Sequence, residues 1–540
     1  MVVLRSLRRL AAGRRSPAPI LLAALALAAC GGGGYGRGKG DPLPGPGARL
    51  DPIYDVTITF PQAEVIAGGI TLHGIVLDLA FTFVDATVRD ADPRFRAPAD
   101  VVRVEAGGIP QAFVVTQPLV VEGTIEDGAM ITDSFGAIQF ASANLVLALS
   151  GAIAPGARRI AGTAALFGTS EPGTFNGVLR RRYLVAGTDL QAIGEAATVE
   201  VRYDREIVLH ERLETISADP IARVEDGRPI VVNRYSYDNL QGLDPHAAFT
   251  TAFEHSTGNG SNPHDVVVLS DHDAGAPFTP PAPGEESAGV AFVTRYEPPY
   301  DDVALFDLDD GGLIQSIDLR PLARNPDHLP RADQMAWSHQ RLWVTLQDAN
   351  ASFSQFMNGR VAVIDPVLRR VEDVIDLAGQ NPFEALEVEP VTGLLYVGCA
   401  GLFARDRDHP PVLSGGVEAI DPVQRRSLGL VIDDDALGGN VSGLAIPAPD
   451  RGFAVVTDAA FHNTVMMFDP QAGTVLGPVY DTSDRLAALA SDGQGWVLIA
   501  DTSFTTPRLL ILDGSTGAIL AAVPLRLPPQ SIAVLTRPLP

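Results

Sequence analysis

From about residue 53 to the C-terminus, apolar and polar residues alternate in short runs that are separated by Gly, Pro and Asp. Two such runs are Tyr54–Phe60 and Ala197–Tyr203. A period of two residues predicts half-buried β-strands, and no convincing 3.6-residue period of any length interrupts it. The pattern therefore predicts an all-β chain.

The first region, residues 53–215, shows this alternation without an internal repeat. Its length of about 160 residues favours a β-sandwich-like domain, with a small barrel as the alternative. Gly and Asp-Gly pairs such as Asp127–Gly128 punctuate the strands. The basic run Arg180–Arg182 is interpreted as a solvated strand edge.

From about residue 220 the chain repeats at intervals of 44 to 63 residues, and each repeat contains an aspartate that opens a turn. An aspartate caps the first position of a β-turn and a proline presets φ at the next, so these residues are structural rather than catalytic. The six are Asp244, Asp307, Asp365, Asp421, Asp469 and Asp513.

Each repeat divides into four strands, which in the fourth repeat are Ala385–Val388, Gly393–Gly398, Gly416–Ile420 and Ser427–Ile432. This pattern resembles the YVTN and NHL classes of β-propeller repeat over about 320 residues. Leu342–Thr345 and Leu395–Gly398 come nearest to the YVTN string. The resemblance implies a β-propeller over residues 220–540.

The ends of the repeat region predict how the ring closes. An orphan strand, Ser531–Leu535, follows the sixth repeat, while the first repeat has strands from Pro229–Val232 onward but no evident inner strand. Pairing the two closes six blades and removes open sheet edges. Seven blades remain the alternative if the loop after Ser270 contains further strands.

The N-terminus has the composition of an export signal. Five arginines precede the apolar run Ile20–Ala29, whose ten residues would rise only about 15 Å as a helix, half of a bilayer core. Leu27–Cys30 resembles the lipobox of bacterial lipoproteins. That resemblance implies a signal peptide over residues 1–29, lipid on Cys30 and a location in the bacterial cell envelope. Gly31 resembles the position that sorts such proteins to the outer membrane.

Residues 30–52 are rich in Gly and Pro and are predicted to form a flexible tether between the lipid and the folded chain. The membrane is therefore one expected partner. The other cysteine, Cys399, is predicted to be a buried strand residue.

The charge balance excludes one class of partner. The formal net charge is -25, and it becomes -30 once the five arginines of residues 1–29 are removed. Such a surface repels phosphate backbones, so no nucleic-acid partner is expected.

A candidate site follows from aligning the inner strands. Carboxylate and amide oxygens from several blades suit Ca²⁺, and the predicted ligands are Asn262, Asp265, Asp333, Glu384 and Asn440. Ser442, Arg485 and Ser531 occupy the same aligned position at the start of an inner strand, and we call this set of aligned residues the column. Alternatively, these residues cap strands and bind loop backbone. Without metal the carboxylates would repel one another, with Arg485 as their counter-charge.

The function that this pattern favours is non-catalytic binding of a protein, glycan or other envelope ligand. No nucleophile elbow, phosphate loop or zinc motif appears, and no organic cofactor is expected. The alternative rests on a resemblance to the six-bladed lactonase and gluconolactonase group, which implies a hydrolase with an axial Ca²⁺. Arg485 would face that metal, which counts against the hydrolase.

Overall fold

The computed structural model describes residues 49–67, 70–83, 94–126, 129–132, 135–140, 143–152, 158–166, 172–271, 273–275, 289–404 and 409–536. Cys30, the apolar run before it, residues 30–48 of the predicted tether and Asp127–Gly128 lie outside these residues, whereas residues 49–52 are described and Leu50 is buried. The chain divides into an N-terminal unit (Arg49–Leu184, Thr198–His210, Val534–Pro540) and a propeller unit (mainly Val185–Ala197 and Glu211–Ala533).

Ten strands form the sheet of the N-terminal unit, and alternate residues of the first strand, such as Tyr54, Val56 and Ile58, are fully buried. The strands are β1 Ile53–Ala67, β2 Ile70–Thr82, β3 Arg94–Ala106, β4 Ile109–Pro110, β5 Phe113–Glu126, β6 Ala129–Thr132, β7 Phe135–Phe140, β8 Ala143–Ala152, β9 Arg159–Leu166 and β10 Pro172–Leu179.

The pairing of these strands closes on itself. Successive antiparallel pairs run β1–β2, β2–β3, β3–β5, β5–β7, β7–β8, β8–β9, β9–β10 and back to β1. The region is therefore one closed sheet, the small-barrel alternative, rather than the preferred two-sheet sandwich. Both forms bury alternate residues, so the sequence pattern could not separate them.

Seven four-stranded antiparallel sheets form the propeller. Blade 1 contains β11 Arg181–Thr188, β12 Gly194–Arg202 and β13 Glu206–Ile216; blade 2 contains β14 Pro220–Glu225, β15 Arg228–Asn233, β16 Asn239–Asp244 and β17 Thr250–Ser256; blade 3 contains β18 Pro263–Leu269, β19 Val290–Arg295, β20 Asp302–Asp307 and β21 Leu313–Asp318.

The remaining blades follow the same order. Blade 4 contains β22 Ala332–Ser338, β23 Arg341–Leu346, β24 Asn358–Asp365 and β25 Arg370–Gln380; blade 5 contains β26 Pro382–Val388, β27 Leu395–Cys399, β28 Gly416–Asp421 and β29 Arg426–Asp433; blade 6 contains β30 Asn440–Ala448, β31 Arg451–Thr457, β32 Asn463–Asp469 and β33 Thr474–Thr482; blade 7 contains β34 Leu486–Ser491, β35 Trp496–Asp501, β36 Arg508–Asp513 and β37 Ile519–Pro524.

The last strand, β38 Pro529–Val534, is the inner strand of blade 1 and lies beside β11. The N–H of Leu535 donates to the carbonyl of Arg182 at 2.8 Å, and that of Thr188 to the carbonyl of Pro528 at 2.9 Å. The C-terminal strand thus closes the ring, but it closes seven blades, and the count of six is wrong. Blade 2 has its own inner strand, β14, and the extra blade comes from residues 181–216, which the sequence placed in the first domain.

The turn aspartates explain the missing blade. In blades 2 to 7 the third strand ends at the predicted aspartate, whose carboxylate accepts backbone N–H bonds; Asp365, for example, accepts from Val367 at 2.9 Å and Leu368 at 2.8 Å. In blade 1 the third strand ends at Arg202 instead, so the repeat signal is absent there.

The basic run Arg180–Arg182 is buried, with each residue less than 9% exposed, and so is not a solvated edge. Arg180 is accommodated by an ion pair with Asp55 at 2.6 Å. Cys399 is buried, as predicted.

In the described part of the chain the helices are short: one α-helical turn spans Asp434–Leu437, and 3₁₀ turns span Pro245–Ala247 and Arg320–Leu322. Within the described ranges, no helix is long and apolar enough to cross a bilayer.

Candidate functional site

Two kinds of loop meet at one end of the propeller, which we call the mouth face: those preceding the inner strands and those joining the second and third strands. They are tied to each other, since the N–H of Tyr235 donates to Oδ1 of Asn262 at 3.2 Å and the N–H of Thr257 to the carbonyl of Asp238 at 2.8 Å. Loops held in this way by a rigid scaffold commonly carry binding residues. The remaining turns form the opposite end, which we call the hairpin face.

The residues of the predicted column lie in the inner strands or directly before them. Asp265 lies in β18, Asp333 in β22, Glu384 in β26, Ser442 in β30 and Ser531 in β38, and Arg485 directly precedes β34. The side chain of Glu384 lies outside the described part of the structure. Ser531 Oγ accepts a bond from the N–H of Ala222 at 3.0 Å, and Arg485 Nη1 donates to Gln530 Oε1 at 3.0 Å.

Asp265 is paired with an arginine that the column did not include. Arg223 donates from Nε to Asp265 Oδ1 at 2.6 Å and from Nη2 to Gln334 Oε1 at 2.7 Å. Asp265 also accepts from the N–H groups of Val266 at 2.9 Å and Met335 at 2.8 Å. The counter-charge of Asp265 is therefore Arg223 and not Arg485. Arg223 belongs to β14, the inner strand that the sequence reading did not find.

Asp333 is fully buried and accepts from three side chains. His264 Nδ1 donates at 2.7 Å, Gln347 Nε2 at 3.0 Å and Gln334 Nε2 at 3.2 Å. Asn262 Nδ2 lies 3.3 Å from His264 Nε2, so the asparagine approaches the histidine. These bonds anchor His264 at the mouth face.

Four of the five predicted metal ligands have protein partners in the structure. Asn440 donates to the carbonyl of Ala400 at 2.5 Å, and Asn262, Asp265 and Asp333 accept from protein donors, as described above. Among the described residues, no three His, Cys, Asp or Glu side chains are grouped so as to hold a metal ion. The contacts do not favour calcium at this position, and the metal assignment stays a prediction.

Four side chains are stacked at the mouth of blades 3 and 4, and we call them the mouth stack: His264, Tyr296, Arg331 and Phe353. The rings of His264 and Tyr296 are parallel within 3° with centroids 4.0 Å apart, and the guanidinium of Arg331 lies 5.0 Å from Tyr296 and 4.7 Å from Phe353. Tyr296 donates its hydroxyl to Gln347 Oε1 at 2.6 Å, and burial raises its pKa well above the ordinary range. The mouth stack is thus a rigid, hydrogen-bonded feature.

Two carboxyl groups on the inner strands have raised pKa values. Burial, followed by the nearby Asp265 carboxylate, raises the pKa of Glu225 to about 8. Burial raises the pKa of Glu387 to about 7, against the opposing charge of Arg223. At neutral pH the Glu225 carboxyl is therefore predominantly neutral.

Exposed apolar side chains follow the mouth face through five consecutive blades. We call them the apolar arc: Val412 in blade 5, Phe461 in blade 6, Phe504 in blade 7, Leu190 and Ile193 in blade 1, and Tyr235 and Tyr237 in blade 2. They are between 46% and 73% exposed. Among the side chains that the structure describes, every exposed Phe or Tyr belongs to this arc. Exposed apolar residues of the hairpin face, such as Val391 and Val423, are aliphatic.

No protein-family model matches the sequence, and neither does any curated protein. Similar solved structures include a protein from Lactobacillus plantarum (TM-score 0.46, 11% identity, covering 66% of this chain and 99% of that one). Virginiamycin B lyase from Staphylococcus aureus gives TM-score 0.39 and 10% identity over 59% of this chain and 92% of its own. Hydrazine synthase from Kuenenia stuttgartiensis gives TM-score 0.38 and 14% identity, covering 63% of this chain and 95% of its own. The propeller assignment itself rests on the strand pairing described above.

Proposed function

We propose that this chain is a non-catalytic envelope lipoprotein, anchored through lipid on Cys30, whose propeller binds another protein through the apolar arc. The observation that supports the proposal is the confinement of all described exposed aromatic side chains to one end of the ring. Contiguous exposed apolar surface on a soluble fold is typical of an interaction site, and aromatic residues dominate the binding energy of such sites.

The composition of the arc favours a protein over a glycan. Leu190, Ile193 and Val412 are aliphatic and offer no ring face to a sugar, whereas an apolar protein surface would cover them as well as Phe461 and Phe504. The overall charge also favours a protein with basic residues around its apolar contact surface. An anionic lipid surface would be repelled by a chain of this negative charge.

Rigidity of the mouth face further supports binding. Loops that carry the apolar arc are held by their own hydrogen bonds before any partner arrives: the Asp189 carboxylate accepts from the N–H of Ile193 at 2.9 Å, and the Asp458 carboxylate accepts from the N–H of His462 at 2.8 Å. A pre-organised surface loses little conformational entropy on association, which increases affinity.

Photo-crosslinking in bacterial cells that export the protein to their envelope tests the proposal. Benzoylphenylalanine is placed at position 461 or 504 of the apolar arc, and at position 391 or 423 of the hairpin face as a matched control, because Val391 and Val423 are each 74% exposed. We expect one shared protein adduct from the arc positions and none from the controls. Equal adducts from both faces, or none from the arc, would contradict the proposal.

Affinity for the crosslinked protein provides the quantitative test. Truncating an aromatic side chain at the centre of an interface costs about 2 kcal/mol, which is about thirtyfold in Kd. Phe461→Ser with Phe504→Ser should therefore weaken binding at least thirtyfold, while Val391→Ser with Val423→Ser should leave it unchanged. Equal affinities for the two double variants would remove the arc from the interface.

A further inference from the structure

A pocket of about 380 Å³ opens in the N-terminal unit, among strands β1, β2, β3 and β10 and the turn between β12 and β13. Its volume falls within the range of small-molecule sites. The residues that determine its chemistry are Asp55, Asp78, Arg103, Asn176, Tyr203 and Arg205.

The two buried carboxylates of the pocket are fully paired. Asp55 accepts from Arg180 Nη2 at 2.6 Å and from the N–H of Tyr203 at 2.9 Å. Asp78 accepts from Arg103 Nε at 2.7 Å and from Thr57 Oγ1 at 2.6 Å. Each buried carboxylate therefore has an arginine at hydrogen-bond distance, and Arg103 pairs with Glu105 as well as with Asp78.

The turn between β12 and β13, which brings Arg205 to the pocket, is held in an unusual conformation. Tyr203 and Asp204 have φ values of 53° and 55°, the left-handed region that L-residues adopt at a cost. The N–H of Arg205 donates to the carbonyl of Arg202 at 3.1 Å, and the Tyr203 hydroxyl donates to the carbonyl of Leu79 at 2.9 Å. Together with the bond from Tyr203 to Asp55, these contacts fix the position of the turn.

Arg205 makes no hydrogen bond to a carboxylate within the described residues, because Arg103 lies closer to Asp78. Its side chain is 64% exposed, and its nearest carboxylate oxygen, Asp78 Oδ2, lies 3.7 Å away and already accepts from Arg103. Asp204, the next acid along the turn, is paired with Arg181. In a chain with a net charge of -25, an arginine without a hydrogen-bonded acid leaves guanidinium donors available to a ligand.

Asn176 supplies the second available group. It is exposed on β10, lines the same pocket and makes no side-chain hydrogen bond within the described residues. We propose that this pocket binds a small organic monocarboxylate, with the Arg205 guanidinium holding the carboxylate and the Asn176 amide holding a polar substituent. A dianion fits less well because a single guanidinium would face its two negative charges, while the Asp78 carboxylate, whose Oδ2 lies 3.7 Å from that guanidinium, would repel it.

Saturation-transfer NMR with the full chain tests this assignment. The probes are lactate, gluconate and benzoate at 10 mM, with lactamide and benzamide as neutral counterparts and glycerol 3-phosphate as the dianion. We expect at least one monocarboxylate to bind in the millimolar range or tighter, with its neutral counterpart and the dianion at least tenfold weaker. Failure of all three carboxylates, or equal binding of the amides or the dianion, would overturn the proposal.

Variants locate the binding. Arg205→Gln removes the charge and should weaken the bound carboxylate at least tenfold, and Asn176→Ala should weaken a substituted carboxylate more than benzoate. Arg212→Gln is the matched control, because Arg212 is an exposed arginine farther along β13. Unchanged melting temperatures establish that the variants fold. Carboxylate binding that survives Arg205→Gln, or that Arg212→Gln reduces equally, would place the ligand elsewhere and refute the assignment.

Discussion

Replacing Glu225 by glutamine should stabilise the propeller at alkaline pH and leave it nearly unchanged at acid pH. The pKa of Glu225 is raised from its ordinary 4.5 to about 8, so the folded protein keeps a proton that the unfolded chain has lost. The stability contribution of the neutral carboxyl is therefore complete below about pH 4.5 and is lost as the pH rises to about 8.

The shift in pKa sets the size of the effect. A difference of about 3.5 units corresponds to about 5 kcal/mol at most. Glu225 keeps part of its solvent exposure, and screening reduces the effect, so we expect about 2 kcal/mol at pH 8.5. Glutamine keeps an acceptor for the N–H of Val268, which lies 3.3 Å from Glu225 Oε2, and introduces no charge.

Urea unfolding at pH 5 and pH 8.5 measures the difference between wild type and Glu225→Gln. Tryptophan fluorescence reports on the propeller alone, because the three tryptophans, Trp337, Trp343 and Trp496, lie in blades 4 and 7. Glu254→Gln is the control, since Glu254 is exposed on β17 of the same blade. A stability gain that is equal at both pH values, or no gain at pH 8.5, would refute the reasoning.

Four further outcomes are expected. Deleting residues 526–540 removes β38 and should destabilise the propeller by several kcal/mol in calorimetry, and an unchanged Tm would contradict the closure. Asp333→Asn should cost about 2 kcal/mol in urea unfolding, because it leaves buried donors of His264 and Gln347 without a carboxylate, whereas a repelling cluster would be stabilised. Calcium at 1 mM should leave Tm unchanged, and a rise in Tm would support the metal assignment instead. Cys30→Ala should abolish labelling by a palmitate analogue and leave the precursor unprocessed; retained labelling would contradict the anchor.

The regular part of the propeller could be predicted because its signals are local. The aspartate that ends the third strand binds backbone N–H groups two and three residues later, as Asp513 does with Ser515 and Thr516. That chemistry is visible in the sequence of blades 2 to 7. Blade 1 has Tyr203 and Asp204 in left-handed conformations at the equivalent turn, and its inner strand comes from the far end of the chain. Neither the turn conformation nor the pairing with a distant strand can be predicted from the local sequence of blade 1.

The candidate site was only partly predictable for a related reason. Inner-strand alignment located Asp265 and Asp333, but their partners are set by the packing of neighbouring blades. Arg223 reaches Asp265 from the adjacent blade, and Gln347 reaches Asp333 from the strand beside it. The apolar arc was missed because its members are single residues in loops of unrelated sequence, so only the ring brings them to one face.

The strand β38 also sets the order of events in folding. The bond between Arg182 and Leu535 spans about 350 residues, and closing a loop of that length costs about 5 kcal/mol of chain entropy. Blades 2 to 7 form from contiguous segments and can assemble while the chain emerges. Blade 1 must wait for β38, so the ring with its mouth face is completed only after residue 534 has been synthesised. A chain that ends before β38 keeps an open edge on β11, and an open strand edge favours aggregation or degradation.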